Sequence, residues 1–379
     1  MRIVVLGYII KGPLGGLAWH HLQYVLGLKN LGHQVLFIED SEEYPACYNP
    51  VTFQMSEDPT YGLLFCNHLF TAYNMKDDWC YFDFHTNKWF GKDEHAIKLF
   101  CKSADVVINL SGINPLREWW TSIPIRMLVD TDPAFTQIKH LTNAGSMQVA
   151  KAHTHYASYG ENFGKMGCSI PDDGLDWQPT RQPVVSSLWD DTYNGKHGNW
   201  STVMQWDSYK TGEHNGTVYG MKSASFSAYE DLPSKVADTM EIALGSQSAP
   251  YEMLKSKGWK ISNPLDVTIT SKKYQEFIRR SKGEWSIAKH GYLISNSGWF
   301  SERSAAYLAS GKPVVVQDTG FSNFLPTGKG LFAFSSPEEA VAAIAEVNKD
   351  YEYHCKQARA FIEEHFESSK VLNSLLSNI

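Results

Sequence analysis

The chain has 379 residues, 43% hydrophobic and 20% charged, with a formal net charge of −7. The length suits two domains, and the apolar fraction excludes global disorder. No basic run exceeds "RRSK" at 279–282, so nucleic acid is not the favoured partner.

The N-terminal apolar run is too short for a signal peptide, and no stretch reaches the ~18 apolar residues that span a bilayer. The six cysteines are scattered, with no CxxC. A reducing, cytoplasmic setting is expected, without a disulfide framework or zinc site.

In chain order, "RIVVLGY" reads as a buried strand. "AWHHLQYVLGLKNLG" reads as a helix stopped by Gly32, and "HQVLFIED" as the next strand. This is how a parallel, doubly wound sheet begins. The alternation continues with "AIKLFCKSA" helical, "DVVINLS" and "IPIRMLVDTD" as strands, "AGSMQVAKAH" helical and "THYASYGEN" as a strand. Residues 165–200 are dense in Gly, Pro, Asp and Asn and read as loops and an interdomain connection.

A second series follows. "WSTVMQW" is a strand, "DLPSKVADTMEIAL" a helix, and "SAPYEMLKSKGWKI" a helix with a short strand after Gly258. "SKKYQEFIRRSKG" is helical, "WSIAKHGYLIS" contains a strand, "SERSAAYLASG" is helical and "KPVVVQDTG" is a strand and turn. "SPEE" caps one or two closing helices, with Ser336 as N-cap and Pro337 in the first turn. The expected architecture is α/β, with two Rossmann-like doubly wound domains facing a cleft. They would span 1–190 and 191–355, with residues 356–379 as a closing helix returning to the first domain.

Three clusters carry chemistry. In "GPLGGLAWHH", the dinucleotide GxGxxG and the Walker GK[ST] are both missing. What remains is Gly15 and Gly16 at a helix N-terminus, where backbone amides and the dipole favour an anion. His20 and His21 follow, about 100° apart around the helix, so at most one faces the cleft squarely. "LVDTDP" sets Asp130 and Asp132 beyond a buried strand, where acids bind hydroxyls or act as bases. "NSGWFSERSAAYLASGKPVVVQDTGF" brings Ser301, Glu302 and Arg303 in a helix's first turn to the same edge as Gln317, Asp318 and Thr319. That pattern suits a diphosphate and ribose hydroxyls. Lys222 in "YGMKS" and Lys289 in "AKHG" are weaker phosphate candidates. "HTHY" at 153–156 lacks a third ligand, so no metal site is expected.

"GGLAWHHLQYVLGLKNLGHQVLFIED" resembles the opening of GT-B glycosyltransferases, in particular the retaining family 4 type written GGxxxHVxxLARxLxxxGHxVxV. Gly15 and Gly16 match the GG pair, His20 the histidine, and Gly32 and His33 the GH. "IPIRMLVDTDPAF" is similar to the strand that ends in an HD pair there, with Asp130 or Thr131 where histidine stands. "YLASGKPVVVQDTG" resembles "AMACGLPVVATDVG". Ala306 occupies the acidic position before that segment, and Glu302, one turn earlier, is its nearest substitute.

The resemblance implies a glycosyltransferase, a hexosyl- or pentosyltransferase. It would take a nucleotide diphosphate-sugar such as a UDP-sugar on its C-terminal half. The acceptor, a small molecule, glycan or modified nucleobase, would sit on its N-terminal half, with no metal and no cofactor besides the co-substrate. Donor contacts would be Gly15, Gly16, Lys222, Lys289, Ser301, Glu302, Arg303, Gln317, Asp318 and Thr319. Trp19 and His21 would meet the acceptor. Under retention a donor phosphate oxygen takes the acceptor's proton. Under inversion His20, His21, Asp130 or Asp132 supplies a base. Rival readings are a sugar-nucleotide epimerase on the same fold, an NAD(P)-dependent oxidoreductase using Glu39 and Asp40 on ribose, and a catalytically silent GT-B binding module.

Overall fold

The computed structural model describes residues 1–189, 195–377 and 379. The expected boundary between 190 and 191 lies outside the described residues. The first sheet is built from β1 (Arg2–Leu6), β2 (Gln34–Asp40), β3 (Trp79–Asp83), β4 (Lys88–Gly91), β5 (Val106–Leu110), β6 (Ile125–Asp130), β7 (His155–Ser158) and β8 (Trp177–Pro179). Their spatial order is β8-β7-β6-β5-β1-β2-β3-β4, parallel throughout except where β4 turns back along β3. The second sheet takes β9 (Trp200–Gln205), β10 (Met240–Gly245), β11 (Lys260–Ser262), β12 (Gly283–Ser286), β13 (Val314–Gln317) and β14 (Leu331–Phe334). It is wholly parallel, in the order β11-β10-β9-β12-β13-β14. In each sheet the order reverses beside the first strand, between β1 and β5 and between β9 and β12. Such switch points open a crevice at the strands' carboxyl ends.

Parallel strands covered on both faces are apolar without alternation. Ile3 to Leu6 and Val106 to Leu110 are all buried. The same property overturns one expectation. "DLPSKVADTMEIAL" is not a helix: only Leu232–Ser234 makes a 3₁₀ turn, and Met240–Gly245 is the fully buried strand β10. A short apolar run carries no period that separates a buried strand from a helix. The 165–200 stretch also departs from pure loop, since β8 extends the first sheet and Ser186–Leu188 forms a turn of 3₁₀ helix. The closing region holds three helices, Pro337–Lys349, Tyr351–His365 and Ser368–Ser377.

The helix Gly15–Asn30 is central. Eleven of its sixteen residues are buried, so it has no solvent face of any width. Helix Ser368–Ser377 packs along it, with Leu372 Cδ1 2.6 Å from where a Cβ on Gly27 would stand. Helix Ser271–Arg280 of the second sheet's domain packs on its first turn. A Cβ on Gly15 would run into the Thr270 carbonyl, so glycine there permits the close approach of the two halves. One continuous cluster of buried side chains therefore runs from Ile3 and Val5 through Trp19 and Leu22 to Ala305, Tyr307 and Val314.

Candidate active site

The carboxyl edges of β1, β5 and β6 face those of β9, β12 and β13, and the two halves touch across the cleft. Trp299 Nε1 donates to the Thr131 carbonyl (3.2 Å), and Asn162 Nδ2 donates to the Asn296 and Gly320 carbonyls (3.0 Å each). Lys289 Nζ bonds both Asp132 oxygens, at 2.9 and 3.1 Å, and the Tyr209 and Tyr292 hydroxyls also donate to Asp132. The ammonium lies 4.3 Å from the Tyr209 ring centroid and about 5 Å from those of Phe135 and Tyr292. Asp132 and Lys289, expected on opposite sides of the reaction, are one ion pair spanning the cleft. Two residues beyond Asp132, Ala134 is held at φ 71°, a conformation costly for any residue with a Cβ.

The other expected acids are internal braces. Asp130 is 1% exposed and accepts from the Thr136 and Ser158 hydroxyls, Gln137 Nε2 and the Asp132 amide. Burial raises its pKa, and those donors pull it back. Its two oxygens accept four protein donors, so the structure places this expected base as a brace at the end of β6. Glu39, fully buried, accepts from the amides of Ile9, Ile10 and Lys11 at 2.6–2.7 Å and so fixes the loop after β1. Asp40 is paired with Arg117. Neither is free for a ribose.

The helix Glu302–Ala309 divides its candidates. Arg303 turns inward: Nε pairs with the fully buried Glu284, and its other nitrogens donate to the Val203 carbonyl (2.8 Å) and the Ser286 hydroxyl (2.6 Å). Its five N–H groups are largely committed under the sheet edge, which removes the expected diphosphate clamp. Ser301 caps that helix by accepting from the Arg303 amide, and Thr319 donates to the Trp299 carbonyl. Asp318 accepts from the Gly320 amide and the Ser322 hydroxyl, closing its own turn. Gln317 accepts from the Ala288 amide.

Three side chains remain uncommitted at the cleft. Glu302 has no hydrogen-bond partner among the described residues, and its field acts on Tyr8, His20, Tyr159, Tyr292 and Lys222 alike. Lys222 likewise has none, and burial drives its pKa well below the usual lysine value, helped by the nearby Arg303 and Lys289 charges. His20 is 8% exposed with both ring nitrogens unpartnered, packed edge-on against His21, Tyr24 and Tyr159. Burial lowers its pKa, so it stands neutral at neutral pH. The first turn of Gly15–Asn30 has no side-chain cap, because Leu14 occupies the N-cap. Its amides keep their affinity for an anion.

The two expected acceptor contacts turn away from the cleft. His21 is fully buried, with Nε2 accepting from the Tyr8 amide and Nδ1 on the Leu17 carbonyl. Trp19 is 2% exposed, packs at a tilt against Trp189 and donates to the Ser271 carbonyl in the other half. What opens there instead is a cavity of about 1090 Å³, walled mostly by the N-terminal half and closed on one side by Tyr209, Lys210 and Gly212. It runs from Tyr8, Ser111 and Asp132 past Phe135 and Tyr209 to His140 and His153. Sequence reasoning missed Tyr8, Tyr209 and Tyr292: Tyr8 and Tyr209 sit in loops and Tyr292 in the short helix His290–Ile294, with no motif to mark them. His153 and His155 are turned to separate partners. His153 holds the Val149 and Ala150 carbonyls and meets Asn109, while His155 meets Thr154.

No protein-family model matches the chain, and no curated protein matches it. Solved structures do. An alpha-glucosyltransferase in complex with UDP-glucose and DNA containing an abasic site superposes with a TM-score of 0.60 at 12% identity, covering 100% of this chain and 99% of that one. HepE of Anabaena, in complex with UDP and glucose, gives 0.56 at 10% identity, with full coverage of both chains. AviGT4, a glycosyltransferase involved in avilamycin A biosynthesis, gives 0.54 at 11% identity over 100% and 97%. With its own strand order and the facing carboxyl edges, this likeness shows the architecture: the chain has the GT-B fold, two Rossmann-like domains across a cleft.

Proposed function

We propose that the protein is a glycosyltransferase. It moves a sugar from a nucleoside diphosphate-sugar to an acceptor hydroxyl, with retention at the anomeric carbon and without a metal. The carrying observation is Lys222, a lysine with no hydrogen-bond partner among the described residues, in the cleft of a GT-B fold and close enough to Glu302 to feel its field. A desolvated ammonium is a strong partner for a diphosphate and a poor core residue. The uncapped first turn of Gly15–Asn30 supports the same reading, and UDP in the alpha-glucosyltransferase and HepE structures supports the donor class.

The reaction breaks the bond between the anomeric carbon and the diphosphate oxygen and forms one to the acceptor oxygen. Negative charge grows on the leaving diphosphate as positive charge grows on the sugar. Donors aimed at the diphosphate lower that barrier by about 3–4 kcal/mol each. Lys222 and the helix amides serve that role, and Lys289 joins them if the diphosphate draws it from Asp132. Glu302 faces the ribose or the sugar hydroxyls. His20, neutral and unpaired, takes a sugar hydroxyl as a hydrogen-bond partner. Asp130 and Asp132 are already engaged, which favours the path in which a donor phosphate oxygen takes the acceptor's proton. The acceptor lies in the cavity beside Tyr8 and Phe135.

A thermal-shift panel of UDP-, GDP-, ADP- and TDP-sugars, followed by a nucleotide-release assay with and without EDTA, tests the reading. One sugar nucleotide is expected to stabilise the protein and to be turned over equally with the chelator. Turnover that stops with EDTA contradicts the metal-free mechanism. An NMR spectrum of the product fixes the anomeric outcome.

A further inference from the structure

The cavity's far wall carries a second buried ionisable pair. His140 (8% exposed) and Asp173 (7% exposed) meet through Nδ1 and Oδ2 at 2.7 Å. Asp173 is held from its other oxygen by Trp177 Nε1 at 2.9 Å and the Leu175 amide at 3.2 Å, and the indole stacks on the His140 ring at an interplanar angle of 11°. An ionised carboxylate only accepts, so Nδ1 of the His140 ring carries a proton, and in the neutral imidazole Nε2 presents a lone pair. Among the described residues that ring makes no other hydrogen bond, and it lines the cavity. The other cavity histidine, His153, has both nitrogens engaged. A buried histidine held so firmly on the wall of a large cavity, with one ring nitrogen unclaimed among the described residues, is built for a ligand rather than for packing.

We propose that His140, oriented by Asp173, is the cavity's hydrogen-bond acceptor for an O–H or N–H of the acceptor substrate. The cavity then takes flat, hydrogen-bond-donating molecules and discriminates against their O-alkylated counterparts. Flatness follows from the rings of Tyr8, Phe135 and Tyr209 along its walls. The assignment names the acceptor class for the transfer reaction proposed above and rests on that reading for the word acceptor. The recognition itself needs no donor. Asp173 is the positioning residue: with asparagine there, an amide N–H facing Nδ1 moves the ring proton to Nε2 and turns the cavity's acceptor into a donor.

The test is direct binding by the full chain, without nucleotide, of 4-methylumbelliferone and of its methyl ether, followed by saturation-transfer NMR and calorimetry. The wild type is expected to bind the phenol at least tenfold more tightly than the ether. His140→Asn keeps an N–H toward Asp173 but removes Nε2, and its preference is expected to shrink below twofold. Asp173→Asn is expected to favour the ether, a reversal that loss of packing alone does not produce. The proposal is overturned if the wild type binds neither probe or both equally, or if His140→Asn keeps the preference. If the preference is found but no sugar nucleotide binds, sugar transfer fails and the recognition site stands. If a sugar nucleotide is turned over and the preference is missing, only this assignment fails.

Discussion

Lys222 and Arg303 are both cations at the same cleft, and their surroundings divide them. Arg303 neutralises Glu284, which is wholly buried, so it is part of the fold. Arg303→Met strands that carboxylate and should lower unfolding free energy by about 3–5 kcal/mol, read by urea denaturation. An unchanged unfolding midpoint would return Arg303 to the list of donor contacts. Lys222 has no such partner, and its depressed pKa gives a sign. It loses its proton at a lower pH than an ordinary lysine, so UDP affinity should fall as pH rises through that lowered value. Bound diphosphate opposes the loss, so calorimetry in two buffers should show proton uptake on binding in that window. Lys222→Ala should abolish the uptake.

At the scale of elements, two contacts set the cleft's shape. Glu39 pins the loop after β1 by three amides, and burial lifts its pKa from 4.5 to about 7. The folded state then holds the proton longer than the unfolded chain, so stability should fall as pH rises from about 4.5 to 7 and level off above. Glu39→Gln should lose that slope in a pH series of melting curves, and a slope that persists would exonerate Glu39. Leu372, fully buried on Gly15–Asn30, ties the last helix to the first domain. Leu372→Ala should cost about 2–5 kcal/mol by denaturant unfolding, and a cost near zero would mean that the helix merely rests there.

The elements also show what a sequence can and cannot carry. The strands RIVVL and QVLFIED and the helix Gly15–Asn30 were legible, because apolar runs and Gly32 punctuate them locally. β10 was misread because its burial on both faces erases any period. The stretches around Gly15, Asp130 and Glu302 are each legible as a turn or a helix start. Which side chain in each stretch is free was not legible. Asp130, Arg303 and His21 are consumed by partners such as Ser158, Glu284 and Tyr8, which lie 28, 19 and 13 residues away in sequence and are brought to them by tertiary packing. Lys222 and His20 stand out only because no described residue hydrogen-bonds their nitrogens.

For the whole molecule, closure rests on the pair that joins the halves. Lys289 is 13% and Asp132 30% exposed, shielded by three rings. Asp132→Asn weakens that contact and should loosen the cleft, seen as faster amide exchange at residues 131–136 and 287–299 and a larger radius of gyration in scattering. No change in either would show that the contacts from Trp299 and Asn162 suffice.

The central claim is that this cleft holds a nucleoside diphosphate-sugar on Lys222, and titrating UDP-glucose into the wild type and into Lys222→Ala by calorimetry tests it most directly. One-to-one binding is expected, weakened at least tenfold, about 1.4 kcal/mol, in the variant. Equal affinity in the two proteins would contradict it.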